Sequence, residues 1–209
     1  MTYLTRYPDR VLELLRQHLI ITAIALSIAM LLAFPLGILV ARRRSLDVPV
    51  IGVLGIIYTI PSLALLAFLI QPFGLGLRPL LFALVIYVQF VLVRNIVVGL
   101  RGVDPAILEA ARGMGLSSMQ SLWQVELPLA APIILAGVRL ATVSIVGLAT
   151  IGAWIAAGGI GVLFNEGIAQ NNPDKIQAGV LVIGVLAIGL NQILLWLERR
   201  AGRWRTTGA

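Results

Sequence analysis

The chain has 209 residues, 59% of them apolar and only 12% charged, with a mean hydropathy of +1.00, more apolar surface than a water-soluble globule can hide. Cysteine is absent, His18 is the only histidine and Lys175 the only lysine. That excludes a Cys/His metal cluster, a thiol nucleophile, a disulfide and, without a G-x-x-x-x-G-K-[ST] frame, a P-loop, so any ATP hydrolysis must come from another subunit. The net charge of +7 resides on arginines that flank apolar spans, a membrane signature rather than a nucleic-acid-binding face.

Residues 1–17 form a first segment, in which Val11, Leu12, Leu14 and Leu15 beside Arg10 and Arg16 predict a short helix lying in the membrane interface. Five apolar stretches follow at His18–Ala41, Val48–Ile70, Leu80–Leu100, Leu129–Ala157 and Ile176–Leu197. Each is long enough to cross a hydrocarbon layer of roughly 30 Å. The predicted fold is an all-α membrane protein with about five transmembrane helices. It comprises one transmembrane domain over residues 18–198 that includes a loop at 101–128, and a basic tail at 199–209. The first span is too long for a signal-peptide core and ends in Arg42-Arg43-Arg44, a stop-transfer pattern.

Orientation follows from charge. Arg42, Arg43, Arg44, Arg101, Arg112, Arg199, Arg200, Arg203 and Arg205 share one face, against Arg6, Arg10, Arg16, Arg78 and Lys175 on the other. Nine against five puts the first group and the C-terminus in the cytoplasm. Arg94 and Arg139 lie inside spans, where a charge is costly enough to flag function; snorkelling to the interface is the alternative. No Asp or Glu lies deep in a span, which disfavours an ion-coupled carrier. Five helices make a thin wall for a solute path, so a second copy or a related chain is expected to complete it.

The cytoplasmic loop, Arg101 to Pro128, has helix grammar of its own. Asp104-Pro105 reads as an N-cap followed by proline at the first helical position, and Gly113 and Gly115 as a helix end. Ser117 and Gln120 fit a capping box for a second helix, which Pro128 is expected to close. Two short helices around a glycine turn suit a knob that docks into a partner's groove; a plain interfacial connector is the other reading.

Glu109-Ala110-Ala111, three residues, Gly115, nine residues and then Val125-Glu126-Leu127-Pro128 resembles the EAA loop of binding-protein-dependent ABC importers. The family pattern is E-A-A, three residues, G, nine residues, I-x-L-P, and only Val125 departs from it. The resemblance implies a type I ABC importer permease whose loop enters a cleft of the ATP-binding subunit, with Glu109, Ala110, Ala111, Gly115, Leu127 and Pro128 as coupling residues. It implies no cofactor in this chain, ATP and Mg in the partner ATPase subunit, a second permease subunit and an extracellular or periplasmic solute-binding protein. Tyr58-Thr59-Ile60-Pro61-Ser62-Leu63-Ala64, Arg94-Asn95, Gly102-Val103-Asp104-Pro105 and Ala149-Thr150-Ile151-Gly152-Ala153 to Gly161 resemble the osmoprotectant branch, which takes up glycine betaine, carnitine and choline. Permeases for other small solutes share parts of these stretches, and a passive channel or secondary carrier is the rival class.

Candidates for the solute path are Thr59, Pro61, Gln89, Asn95, Thr142, Ser144, Thr150 and Asn191 with its neighbour Gln192. Hydrogen-bond glue between helices is the alternative role for the polar ones. Pro61 can break the second span, which membrane depth tolerates where the break is packed by protein or lines a cavity. The outer segment with Asn165, Glu166, Gln170, Asn171 and Asn172 is expected as a loop that either meets a binding protein or is merely solvated.

Overall fold

The computed structural model describes residues 2–202, which contain helices and no strand. In chain order the α-helices are α1 (Thr2–Arg6), α2 (Pro8–Arg42), α3 (Gly52–Thr59), α4 (Ser62–Phe73), α5 (Leu77–Arg101), α6 (Pro105–Gly113), α7 (Ser118–Ser121), α8 (Leu127–Ala149), α9 (Gly161–Ala169) and α10 (Pro173–Gly202). Four continuous helical stretches are long and apolar enough to span a membrane, and the pair over 44–59 and 62–73, bent by 96°, makes a fifth if it is one broken span rather than a re-entrant loop. Arg203 and Arg205 of the expected basic tail lie outside the described residues.

Helix α5 occupies the centre, with Val88, Leu92, Val93 and Ile96 almost wholly buried. Against it α2 sets Ala25, Ala29 and Ala33, one helical turn apart and fully buried. Alanines at this spacing let two backbones approach closely, as lipid-embedded helices need when no hydrophobic gain separates protein from acyl chain. Gly37 of α2 fits against Ile96 and Gly137 of α8 against Asn95, each with no room for a methyl group. Helix α10 packs outside α8 and buries nothing in its most apolar window.

Three elements differ from the sequence reading. The segment before His18 is not a separate interfacial helix, because α2 runs unbroken from Pro8, and Val11 and Leu14 pack on Ile160, Leu163 and Ala178. At about 1.5 Å per residue α2 is roughly 50 Å long and reaches well past the hydrocarbon layer. Proline 128 does not close the loop's second helix: α7 continues through a π turn, Leu122–Glu126, into α8. There the Leu127 amide bonds back to Leu122 O, and the wider turn accommodates a proline that has no N–H and would clash with the carbonyl four residues earlier. Of the expected outer loop, Asn165 and Glu166 belong to a helix, α9, while Gln170, Asn171 and Asn172 form the turn before α10. The break at Pro61 is present: Ile60 and Pro61 are extended and the chain turns sharply between α3 and α4.

The outer end of α8 depends on His18. The α-helix gives way to a 3-10 segment, Thr150–Ile155, where the Thr150 amide bonds to Gly147 O. His18, wholly buried, places Nε2 3.0 Å from Val146 O and Nδ1 3.3 Å from the Ile160 amide that opens α9. A carbonyl only accepts and an amide only donates, so the ring is the neutral tautomer with its proton on Nε2. Next to it Gln17 Oε1 accepts from the Gly159 amide at 3.3 Å. One side chain thus ends one helix and starts another. Replacing His18 by leucine leaves both backbone groups buried without partners, at a cost on the order of 1–3 kcal/mol each. The expected outcome is a clearly lower thermal midpoint of the detergent-solubilised His18→Leu protein, and an unchanged midpoint would show that the ring carries no load.

Candidate functional site

The loop between α5 and α8 is built as its residues dictate. Asp104 caps α6 by accepting from the Ala106 amide at 2.8 Å, with Pro105 at the first helical position. Gly115 ends the turn at φ +83, and the Leu116 amide returns to Ala111 O at 3.1 Å, closing the last orphan carbonyls of α6 as a left-handed C-terminal glycine does. Ser117 and Gln120 complete a capping box at 3.3 and 2.8 Å. Glu109, Ala110, Gly115 and Pro128 are exposed, Leu127 is half-buried and Ala111 is buried. Met114, Met119 and Trp123, 57–73% exposed, add an apolar rim. The surface offers an acidic group, small side chains and flexible thioethers to a partner.

This knob is tied to the bundle by charge. Buried Glu126, the variable position between Val125 and Leu127, accepts from Arg42 at 2.8 Å and from Ser121 Oγ at 3.3 Å. Arg42 ends α2. A cavity of about 130 Å³ lies behind the loop, lined by Arg42, Leu108, Arg112, Leu116, Ser118, Ser121 and Glu126. Arg101, at the end of α5, donates to Ala41 O at 3.1 Å and Val40 O at 2.6 Å and pairs with Asp47. It caps α2 from outside. The ends of α2 and α5, the loop and the end of α10, where Gly202 lies beside Pro132, therefore share one end of the bundle. Arg10, Glu166 and Lys175 share the other: Lys175 Nζ donates to Glu166 at 2.6 Å and Arg10 lies at 3.5 Å. The bond from Lys175 holds the Glu166 carboxyl below its usual range. The stability it contributes is present above that range and is lost as pH falls through the depressed value.

The candidate path residues separate into three groups. Asn95, Thr142, Ser144, Thr150 and Thr59 turn back on carbonyls three or four residues earlier in their own helices, at 2.7–2.9 Å. That is local bonding rather than glue. Gln89 joins helices, donating to Ala29 O of α2 at 3.1 Å, and its buried Oε1 has no partner. Asn191 accepts from Arg139 at 3.1 Å, and Arg139 also pairs with Glu198 at 2.9 Å. The charge of Arg139 is thus met by a carboxylate near the end of α10. Arg94 is exposed and lies over the Phe90 ring at 5.7 Å. Thr59 and Pro61 are exposed at the break, beside a cavity of about 20 Å³ between α4, α5 and α8, room for a water and not for a solute.

Sequence reasoning passed over His18, Gln17 and the Arg42–Glu126 pair. The only signal for the last was a glutamate in an otherwise apolar stretch opposite an arginine triplet. Among the described residues no group of three or more His, Asp or Glu converges as metal ligands.

Residues 33–206 match the model of the binding-protein-dependent transport system inner membrane component. The chain belongs to this family. It is 38% identical over 184 residues to the choline transport system permease protein OpuBB of Bacillus subtilis, covering 88% of this chain and 85% of that protein. The carnitine transport permease protein OpuCB of Listeria monocytogenes is 39% identical, covering 88% and 84%. The osmoprotectant import permease protein OsmW of Salmonella typhimurium is 38% identical, covering 87% of each. A chain of the MetNI methionine ABC transporter in an inward-facing conformation superposes with a TM-score of 0.83 at 20% identity, over 97% of this chain and all of that one. The fold is therefore shared over 97% of this chain.

The Arg139–Glu198 pair gives the family fold a testable anchor. Arg139→Met leaves Glu198, only 23% exposed, without its cation and is expected to lower the thermal midpoint, at a cost on the order of 3 kcal/mol. The double change Arg139→Met with Glu198→Met should recover most of that loss. A double variant as unstable as the single one would show that the pair is not what stabilises the α8–α10 contact.

Proposed function

We propose that this chain is the transmembrane permease subunit of an ATP-driven ABC importer that takes up quaternary-amine osmoprotectants: glycine betaine, choline and carnitine. The observation that carries the reading is likeness over most of the chain to permeases named for choline and carnitine transport. The capped double-helix loop supports it, because an exposed knob clamped to α2 and continuous with α8 can pass a displacement into the bundle. Glu109, Ala110, Gly115 and Pro128 form the outward surface that meets an ATP-binding subunit, and Ala111 and Leu127 hold it in place. ATP and Mg are used there, and the chain itself performs no hydrolysis.

A second permease subunit, identical or related, completes the path, since the cavity at the break is too small to hold a solute alone. A solute-binding protein delivers cargo to the opposite end, where α9 and the Glu166–Lys175 contact lie. The arginine-rich end, with the C-terminus, faces the cytoplasm across the cell membrane.

The test is uptake of labelled betaine, choline and carnitine by the reconstituted complex, with ATP supplied or withheld. Uptake is expected only with ATP. Flux through this chain alone, driven by an ion gradient, would replace the importer with a carrier.

Gly115→Val probes coupling. A branched residue at φ +83 costs on the order of 1–3 kcal/mol, and the site is outside the spans. Membrane insertion should survive while uptake falls with ATP hydrolysis reduced or unproductive, and Glu109→Ala should act likewise through loss of a charged contact. Normal uptake at normal ATP consumption in both variants would remove the loop from the mechanism.

A further inference from the structure

One stripe of α5 and the last turn of α3 bring together three rings and an unpaired cation. Tyr87, Phe90 and Arg94 stand at i, i+3 and i+7 on α5, on one face. Tyr58, one residue before Thr59 and three before Pro61, closes over them, with ring centroids 4.8 Å from Tyr87 and 5.2 Å from Phe90. All three rings are half-buried. The Arg94 guanidinium lies 5.7 Å from the Phe90 centroid, so a ring face of this cluster already receives a cation.

Arg94 differs from three arginines that join the spans to one another. Arg42, Arg101 and Arg139 each meet a carboxylate, from Glu126, Asp47 and Glu198. Among the described residues Arg94 has no such partner, although it is seven residues, about 10 Å, from the end of α5. A guanidinium kept exposed and unneutralised at that depth is costly. It is ready for an anion, which a planar fork of donors binds in two parallel hydrogen bonds.

We propose that Tyr58, Tyr87, Phe90 and Arg94 form a solute-binding station inside the membrane, in which the rings take a quaternary ammonium group and the guanidinium takes the carboxylate of a zwitterionic cargo. The proposal rests on the osmoprotectant reading above and adds a rule of selectivity to it. Aromatic faces attract an ammonium that has no N–H to donate, and every cargo of this class carries one. Betaine and carnitine also carry a carboxylate; choline carries a hydroxyl instead. Arg94 therefore distinguishes within the class, whereas the rings serve all of it. The station lies beside the break between α3 and α4, so a change in the angle at Pro61 moves Tyr58 relative to the two α5 rings and opens or closes it.

The experiment is ATP-dependent uptake by the reconstituted complex, reading kcat/KM for betaine, carnitine and choline with one binding protein throughout. Arg94→Gln is expected to lower the values for betaine and carnitine about tenfold or more and leave choline within about twofold, with Arg94→Lys between. Tyr58→Leu should lower all three by roughly three- to thirtyfold, while Tyr58→Phe keeps them. An equal loss for all three cargoes in Arg94→Gln, the result expected of a snorkelling residue that merely anchors α5, would overturn the proposal, as would no loss. If Arg94→Gln fails to assemble, the Tyr58 pair decides: equal activity of Tyr58→Leu and Tyr58→Phe counts against the station. A wild-type complex that moves none of the three cargoes refutes the osmoprotectant reading itself, a different result from normal wild-type uptake with indifferent variants.

Discussion

In a hydrocarbon layer no water is at hand to bond a free amide or carbonyl, so each departure from α-helix must be repaired by the protein. The chain departs from α-helix at several places within or beside its spans, and three of them are met in different ways. At the outer end of α8 the ring of His18 takes a carbonyl and an amide that the change to 3-10 geometry leaves open. At Leu122–Glu126 the helix widens by one residue and the Leu127 amide keeps a partner in Leu122 O. At Pro61 the chain breaks outright, α4 begins at Ser62, and the extended residues between are exposed. The contrast is informative: two departures lie inside the protein, whereas at the third the Ile60 amide returns to Ile57 O and the Leu65 amide to Pro61 O while the turn itself stays exposed beside the aromatic rings.

The ends of the bundle are organised by charge in a complementary way. At the loop end every tie involves an arginine whose stem belongs to a spanning helix: Arg42 to Glu126, Arg101 to Asp47 and the last carbonyls of α2, Arg139 to Glu198. These contacts join α2, α5, α8 and α10 to one another, and the glutamate inside the loop to the first of them. At the opposite end one carboxylate, Glu166, gathers Arg10 and Lys175. Arginine excess, read from sequence only as a marker of topology, here also supplies the fastening.

Much of this was legible. Asp104-Pro105, Gly115 and Ser117 with Gln120 form the caps they predicted, because capping depends on neighbours within a turn. The spans were legible because hydropathy is additive along the chain. What escaped was decided by distance in sequence. His18 meets residues 128 and 142 positions away, Arg42 meets Glu126 across 84, and nothing local marks such pairs. Pro128 misled for a related reason: a proline is a reliable stop only for a helix that cannot widen, and four residues of α7 preceding a π turn give no periodic sign of it. The polar path candidates were visible as polar, but whether a threonine bonds its own helix or a neighbour is set by rotamer and packing, which composition does not record.

The π turn at Leu122–Glu126 also makes one rod of what would otherwise be two pieces. From Ser118 to Ile155 the helix is uninterrupted over 38 residues, about 57 Å at about 1.5 Å per residue. Arg42 of α2 grips Glu126 inside that turn, and His18 of the same α2 takes Val146 O near the far end. Two side chains of one spanning helix thus pin the other close to both of its ends.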